Sequence, residues 1–365
     1  MSGTFARQTP LLHSRYGPVV RIGPNHISVD GSIGWSEVYG RRPEFSKYLN
    51  YLFDQDHLCL LGAPRDVHRM QRRQLGHAFS DASLTEQEHF VKKQVDLLMW
   101  RMAEHAEAGK SVNIVRWLNY ATFDIISDLT FSSSFGNLEN SAYHPWVINF
   151  FRSIRGEALL RFMRLYPAIQ PLIRVMGWRN IKIANETKQN SAAKALERME
   201  LGEKPEGSNR KDMTEYLMRK NRDGAPGLSD METVVNAMIL IGAGSETTAT
   251  AMSGFFFYLG REREVYKTLT KEIREAFQRE EAIGMRSAAQ LPYLHACTEE
   301  LLRIYPPVAE TPPRVSPGVE IDGKFVPKGV SITLTVKRCG KLADRQTDLG
   351  LSVSVGNIPE PLELY

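Results

Sequence analysis

The chain has 365 residues, of which 46 are lysine or arginine and 42 are aspartate or glutamate, giving a formal net charge of +4. So small a charge does not indicate a nucleic-acid-binding surface, and 27 glycines with 19 prolines exclude collagen-like and low-complexity chains. The length exceeds the roughly 250–300 residues at which a single core usually stops growing, which predicts one large domain or two ordinary ones.

A β-hairpin is predicted near the N-terminus, and helices are predicted after it. Two Gly-Pro pairs bracket the apolar residues 19–22, and Ile27 and Val29 alternate with polar residues, which is typical of paired strands. Residues 66–79, 84–108 and 112–131 carry apolar side chains at spacings of three and four, which indicates helices. The second of these should end at Gly109.

The middle of the chain contains a basic stretch. Residues 150–183 hold six arginines, Lys182 and many apolar side chains against a single acid, Glu157. Such a pattern suits a peripheral contact with an anionic membrane surface, and it suits a helical pair with a solvated basic face equally well. A polar connection over residues 202–230 then separates two groups of helices.

The segment 234–260 is the most apolar part of the chain. Its only ionisable side chain is Glu246, which lies near its middle. A membrane span would tolerate that acid only at a cost of about 2.5–3.5 kcal/mol. A helix that is apolar on all sides and lies inside the protein is therefore the better interpretation.

Two further helices and a small β region follow. The helices are predicted over residues 262–280 and 292–304, and Pro306 with Pro307 ends the second. Short alternating runs over residues 313–336 indicate strands, and the Asp-Gly pair at Asp322 marks a hairpin turn. The chain is therefore predicted to be mainly α with a small β portion.

Several groups of residues could carry chemistry. Glu246 and Thr247 place an acid beside an alcohol in an apolar helix, which favours proton handling, although an acid paired with an arginine would serve packing alone. Glu300 and Arg303 share one helix face and can form an ion pair. His68 and Arg72 also share a face and suit an anionic ligand, and a solvated basic helix explains them equally well.

The order of these groups resembles the cytochrome P-450 family of haem-thiolate monooxygenases. The motifs are His-x-x-x-Arg at His68, Ala-Gly-x-Glu-Thr-Thr at Ala243, Glu-x-x-Arg at Glu300 and Pro-Arg ending at Arg314. The opening Tyr-Gly-Pro-Val-Val-Arg-Ile-Gly-Pro-Asn and the phrase His-Ala-Phe-Ser are similar to the fungal microsomal branch. The likeness covers about residues 14–332.

The resemblance implies haem as the cofactor. His68, Arg72 and Arg314 would hold the haem propionates, and Glu300 with Arg303 would form the core pair that braces the haem-binding region. Ala243 and Gly244 would line the oxygen side of the haem.

On that side the resemblance gives Glu246 and Thr247 the catalytic roles. Thr247 would donate a hydrogen bond to bound dioxygen, and Glu246 would relay protons for O–O cleavage. Electrons would come from a separate NADPH-dependent reductase, and the substrate would be a small apolar secondary metabolite, such as a terpenoid or polyketide.

The sequence departs from the family at the axial ligand. The family's loop, Phe-x-x-Gly-x-Arg-x-Cys-x-Gly, supplies a cysteine thiolate to the iron, and this pattern does not occur in the 365 residues. Cys59 and Cys297 lie in unrelated segments, and Cys339 lacks the preceding Phe-x-x-Gly. No metal ligand is therefore predicted, and we expect little or no monooxygenase activity. Three cysteines in all exclude a disulfide scaffold and favour a reducing compartment.

The resemblance also bears on domain organisation and location. We expect residues 1–332 to form an incomplete P-450-like domain and residues 333–365 to be a tail outside the family, produced by a frame change or a retained intron. The family resides at the endoplasmic-reticulum membrane, but its N-terminal anchor is not found at the start of this chain. A cytoplasmic or peripheral location is therefore expected. The rival hypothesis is a non-enzymatic remnant or interaction module without haem.

Overall fold

The computed structural model describes residues 5–48, 56–149, 192–202, 211–219, 227–308 and 310–335, with single positions at 151, 171, 178 and 182. The chain divides into two compact units. We call Met1–Ser46 with Val308–Tyr365 the sheet unit, and Lys47–Pro307 the helical unit.

Among its described residues, the sheet unit contains two helices, a π-helical turn and strands from both of its chain segments. In chain order they are α1 (Phe5–Tyr16), β1 (Val19–Gly23), β2 (His26–Asp30), α2 (Gly31–Gly34), the π-helical turn Trp35–Tyr39, β3 (Ser46–Lys47), where the chain leaves the unit, β4 (Arg314–Val315), β5 (Val319–Ile321), β6 (Lys324–Val326) and β7 (Ser331–Thr335). A five-stranded sheet has the order β1-β2-β7-β4-β3, and β5 pairs with β6.

Strand β7 connects the two ends of the sequence. It pairs in parallel with β2, with Ile332 opposite Ile27 and Leu334 opposite Val29. Ile332 and Leu334 are fully buried in the core of the sheet unit. Residues separated by about 300 positions therefore build one sheet.

Both predicted hairpins are confirmed. Strands β1 and β2 are antiparallel, and so are β5 and β6. The turn between β5 and β6 has φ of 51° at Asp322 and 69° at Gly323. Positive φ at both central positions is what a tight hairpin with right-handed twist requires.

The helical unit contains nine labelled helices among the residues that the structure describes. They are α3 (Arg65–Gly76), α4 (Asp81–Glu107), α5 (Ile114–Phe131), α6 (Asn137–Asn140), α7 (Met213–Met218), α8 (Asp230–Arg261), α9 (Arg263–Ala276), α10 (Met285–Ala288) and α11 (Pro292–Ile304). Residues 145–149 and 192–200 are also helical. Short 3₁₀ turns occur at Asp56–Leu58, His77–Phe79 and Glu280–Ala282.

Helix α8 forms the centre of the helical unit. It begins at a capping box in which the Ser229 side chain accepts from the Glu232 backbone, while the Glu232 carboxylate accepts from Ser229. It packs most extensively against α5, and Ile241 joins Phe123 and Leu217 in the largest core cluster. The prediction of a long helix over 234–260 is confirmed, but only part of it is buried, since Phe256 and Phe257 near its end are exposed. No helix in the described ranges is both long and apolar enough to cross a membrane.

The other predicted helices are present with small shifts at their ends. The predictions at 84–108 and 112–131 correspond to α4 and α5, and the prediction at 292–304 matches α11. Gly109 follows α4 with φ of 63°, the left-handed conformation that commonly ends a helix. The basic stretch 150–183 lies outside the described residues except for the single positions given above.

Candidate functional site

One turn of helix α8, which we call the open turn, is exposed on one side and buried on the other. The stripe Ala237, Ile241 and Ser245 is fully buried, whereas Ala243, between the last two, is exposed. Thr247 lies one turn after Ala243, is half-buried, and donates its hydroxyl to the Ala243 carbonyl at 2.6 Å. Because a threonine hydroxyl rotates freely, this donor can be redirected to a ligand that lies against the same turn.

Glu246 lies beside Thr247 and carries an unsatisfied polar atom. Its Oε2 is buried and has no hydrogen-bond partner among the described residues. Burial raises the pKa of the Glu246 carboxyl above its ordinary value, because desolvation disfavours the carboxylate. The alternative in which an arginine pairs with this acid has no support in the described part of the chain, where no salt bridge to Glu246 is found.

Tyr143 is close enough to the Glu246 carboxylate to be affected by its charge. Burial, followed by the charges of Tyr120 and Glu246, raises the pKa of Tyr143 to about 12. The Tyr120 and Tyr143 rings meet edge to face at 4.8 Å.

Gly244 serves the contact between α8 and α5. A Cβ at this position would lie 2.8 Å from Cδ1 of Ile126 on α5, closer than carbon atoms normally approach. The glycine therefore lets the two helices pack closely. Its neighbour Ala243 is on the exposed side of the same turn.

Helix α3 carries His68 and Arg72 one turn apart. His68 is half-buried and Arg72 is exposed. The helix is anchored through its other side, where Gln71 donates to the Leu58 carbonyl at 2.7 Å and to Glu232 at 3.2 Å. Sequence reasoning did not identify Gln71 as an anchor, because a glutamine among four arginines gives no signal of burial.

Glu300 and Arg303 form a bidentate pair on α11. Arg303 donates to the Glu300 carboxylate through Nε at 2.7 Å and through Nη2 at 2.6 Å. The Glu300 side chain is only 6% exposed, and its hydrogen bonds raise the pKa of Arg303. Two parallel charge-assisted bonds fix both side chains in one orientation.

Arg314 lies in the sheet unit, at the start of β4. Its Nη1 donates to the Phe45 carbonyl at 3.3 Å, and its guanidinium carbon lies 5.1 Å from the centre of the Tyr39 ring. No carboxylate within the described ranges forms a salt bridge with it. A half-buried guanidinium with unused donors suits an anionic ligand.

Neither described cysteine has the properties of an axial thiolate. Cys59 is fully buried and Cys297 is 8% exposed. Burial raises the pKa of the Cys297 thiol to about 11, so it stays protonated near neutral pH. Cys339 lies outside the described residues. No group of three or more His, Cys, Asp or Glu side chains in the described segments is arranged to hold a metal ion.

Comparison with known proteins identifies the family. The family model for cytochrome P450 matches residues 3–342. Cytochrome P450 monooxygenase astJ of Aspergillus oryzae is 38% identical over 339 residues, which cover 88% of this chain and 65% of astJ. The trichothecene C-4 hydroxylase of Trichoderma arundinaceum is 35% identical over 317 residues, covering 86% of this chain and 62% of the hydroxylase.

The fold is mainly helical, with an acid and an alcohol side by side on its central helix and a Glu-x-x-Arg pair on α11. The chain belongs to the cytochrome P450 family, and this membership implies haem as the cofactor. The chain spans about two thirds of the length of the curated relatives that it matches.

Some of the residues present have chemistry that fits haem. In the helical unit, α8 leaves Ala243 exposed and the Glu246 Oε2 without a hydrogen-bond partner among the described residues. In the sheet unit, the Arg314 donors that are not bonded to Phe45 suit a carboxylate. Within the described ranges, however, neither cysteine offers the thiolate that the iron requires.

Proposed function

We propose that this chain is a cytochrome P450 monooxygenase by descent, and that its family reaction inserts one oxygen atom from dioxygen into a small apolar substrate. The observation that carries the proposal is the buried, unpartnered Glu246 oxygen next to Thr247 on the open turn of α8. An uncompensated acid in an apolar core costs stability, so its presence favours a chemical role.

Haem, when bound, supplies the iron at which dioxygen is reduced. The chain supplies donors and protons. Thr247 presents a hydroxyl on the open side of the turn, where rotation away from the Ala243 carbonyl directs its proton outward. Glu246 holds a proton on a carboxyl whose pKa is raised by burial, and it can pass that proton to a neighbouring hydroxyl or water.

The remaining site residues are proposed to bind haem or to stabilise the structure around it. His68, Arg72 and Arg314 are proposed to donate to haem carboxylates. Ala243 and Gly244 are proposed to line the oxygen side, Ala243 by its exposed methyl and Gly244 by allowing α8 to approach α5. The Glu300–Arg303 pair is proposed to keep the end of α11 rigid.

The substrate is proposed to be a secondary metabolite of the terpenoid or polyketide kind. Support comes from the relatives, which include a trichothecene C-4 hydroxylase and several monooxygenases of filamentous fungi. An NADPH-dependent reductase is proposed as the electron donor. The exposed residues Arg69 and Arg73 of α3 offer cationic charge for an acidic partner.

The test of the family function is a chimera. Residues 1–332 are joined to the C-terminal part of a family member whose sequence carries the pattern Phe-x-x-Gly-x-Arg-x-Cys-x-Gly, which supplies the axial cysteine loop. We expect a thiolate-type Soret band in the reduced carbon-monoxide difference spectrum, and we expect Glu246→Gln and Thr247→Ala to slow turnover while leaving the band in place. A folded chimera that binds no haem would refute the proposal.

For the 365-residue polypeptide itself we propose no monooxygenase activity. The family's cysteine loop pattern is not found in its sequence, and the Cys297 thiol has a raised pKa. The purified chain with added haem should give no thiolate-type band. If a band appears, inactivity is disproved, and its loss in Cys339→Ser would identify the ligand. The alternative function, a remnant or interaction module without haem, predicts no haem binding by the chimera either.

The location is proposed to be cytoplasmic or peripheral to the endoplasmic-reticulum membrane, with residues 150–183 as the peripheral contact. Alkaline carbonate extraction of membranes that carry the chain distinguishes a peripheral protein from an integral membrane protein. Release into the supernatant supports the proposal, and retention in the pellet contradicts it.

A further inference from the structure

Arg314 is held by an aromatic ring and a carbonyl rather than by an acid. Its guanidinium lies 5.1 Å from the Tyr39 ring centre, and Nη1 reaches the Phe45 carbonyl at 3.3 Å. Contacts of this kind satisfy one face and one edge of the planar group. The remaining donors have no partner among the described residues and are therefore available to an anionic ligand.

Tyr39 is placed for this contact by an unusual backbone segment. It is the last residue of the π-helical turn Trp35–Tyr39 that continues α2, and π-helical turns occur frequently at functional sites. The Trp35 ring lies 5.4 Å from the Tyr39 ring on the same turn. The turn therefore delivers an aromatic ring to a position set by backbone geometry.

Tyr39 also fixes the chain segment that carries the arginine. Its hydroxyl donates to the Pro312 carbonyl at 2.5 Å, two residues before Arg314. One side chain thus anchors the segment through its hydroxyl and covers the guanidinium with its ring. Both contacts lie within the sheet unit.

We propose that Tyr39 is a positioning residue, which holds the Arg314 guanidinium so that its free edge receives a carboxylate of the bound ligand. This inference deepens the proposed function and rests on it, since the ligand there is haem with its two carboxylates. A guanidinium stacked on a ring keeps its in-plane donors aimed in one direction, which favours bidentate binding of a carboxylate. An ammonium on a flexible stem would not gain this orientation.

The experiment uses the full chain and protoporphyrin IX, the metal-free ring, which needs no axial ligand. Its fluorescence reports binding, and its dimethyl ester is the probe without carboxylates. We expect the wild-type chain to bind the dicarboxylate at least about tenfold more tightly than the diester, the scale of a charge-assisted hydrogen bond. Arg314→Gln should clearly reduce this discrimination, while the other proposed carboxylate donors, His68 and Arg72, stay in place.

The Tyr39 variants separate the two contacts. Tyr39→Leu removes ring and hydroxyl and should lose discrimination nearly as fully as Arg314→Gln, whereas Tyr39→Phe keeps the ring and should retain most of it. Tyr16→Leu is the matched control, because Arg15 lies 5.2 Å from the exposed Tyr16 ring in the same unit. That control should bind both probes like the wild type.

Several results would overturn the inference. It fails if the wild type does not discriminate between the probes, or if Tyr39→Leu discriminates as the wild type does while Arg314→Gln does not. Arg314→Lys keeps the charge and does not depend on the folding of a Tyr39 variant; wild-type discrimination there would show that a point charge suffices. The proposed function is judged separately by the chimera, whose failure with discrimination intact would leave the carboxylate site standing.

Discussion

Glu246 imposes a pH-dependent cost on the folded chain. Burial raises the pKa of its carboxyl above the ordinary value of 4.5, so the folded state retains this proton to higher pH than the unfolded state does. Stability from this group is therefore fully present below the ordinary pKa and is lost as the pH rises through the raised value. Glu246→Gln, which cannot ionise, should be more stable relative to wild type at about pH 8 than at about pH 4.

Urea unfolding at the two pH values measures this difference. Glu281→Gln, at an exposed position, is the matched control and should show no such trend. An equal effect of Glu246→Gln at both pH values would contradict the prediction. It would also remove the argument that this acid is retained for chemistry at a cost in stability.

The pair Arg198–Asp212 is a second residue-scale feature, and it is structural. Its side chains are 2% and 0% exposed, and Asp212 also accepts from the Ser132 hydroxyl at 2.7 Å and from the Glu215 backbone at 2.8 Å. Arg198→Met should destabilise the chain by about 3–5 kcal/mol, because a buried carboxylate loses its counter-ion.

Denaturant unfolding measures this loss of stability and compares it with the loss caused by breaking an ion pair on the surface. Lys267→Met breaks the exposed pair with Glu264, whose side chains are 66% and 84% exposed, and should cost no more than about 1 kcal/mol. Comparable losses in the two variants would mean that the Arg198 pair adds nothing through burial.

The burial and the roles of these residues could be predicted from the sequence to different extents. Glu246 could be found because it is the single ionisable residue in a long apolar run. Asp212 lies in a polar segment and Arg198 in a helix rich in charge, so nothing in the local pattern indicates their burial. The role of Tyr39 depends on a π-helical turn, which hydrophobic periodicity does not predict.

At the scale of elements, the close contact between α8 and α11 depends on a missing side chain. A Cβ at Gly254 would lie 2.5 Å from the Tyr305 ring and 3.3 Å from Leu301. Gly254→Ala should destabilise the chain by about 1–3 kcal/mol, because a ring edge cannot bend away as a flexible chain end can.

Gly260 on the same helix provides the control. A Cβ there meets nothing within 4 Å, so Gly260→Ala should stabilise the chain by up to about 1 kcal/mol through lower unfolded-state entropy. Thermal unfolding of both variants tests the pair. Stabilisation by Gly254→Ala would show that α8 and α11 can separate without cost.

Most of the long elements could be predicted from periodicity and end signals, whereas α1 and the short helices α2, α6, α7 and α10 are not. Helix α7 lies within the segment 202–230 that is predicted to be a polar connection. Helix α11 is found because Pro306 and Pro307 end its pattern, and α8 because its apolar run is long. Helix α1 is not predicted. Its buried positions are the polar Thr9 and His13, and His13 bonds the buried Ser28 hydroxyl at 2.7 Å.

At the scale of the whole molecule, the sequence predicts both β regions but not their union in one sheet. Each region is recognised by local alternation, whereas the parallel pairing of β2 with β7 depends on contacts across about 300 residues. The register is fixed by burial, since Val29 and Leu334 must face the same core. Local patterns carry no information about such a partner.

The pairing of β2 with β7 allows a test of the residue at which the P450-like domain ends. We propose that the chain ends in a tail outside the family, and the sequence predicts this tail at residues 333–365. Strand β7, however, extends to Thr335, and the family model matches as far as residue 342. Leu334 is fully buried and packs on Gly34, and Thr335 bonds Ser28 at 2.9 Å. A chain ending at residue 332 should therefore lose about 2–5 kcal/mol, the cost of removing a buried leucine.

Chains ending at residues 335 and 342 are the controls, compared with the full chain by denaturant unfolding. If the tail begins after β7, both should be as stable as the full chain, because neither deletion removes a residue of the β2–β7 ladder. A loss at 335 that is restored at 342 would extend the P450-like domain to the end of the match. Full stability of the chain ending at 332 would instead support the boundary predicted from the sequence, and would mean that the last three residues of β7 add nothing to the sheet.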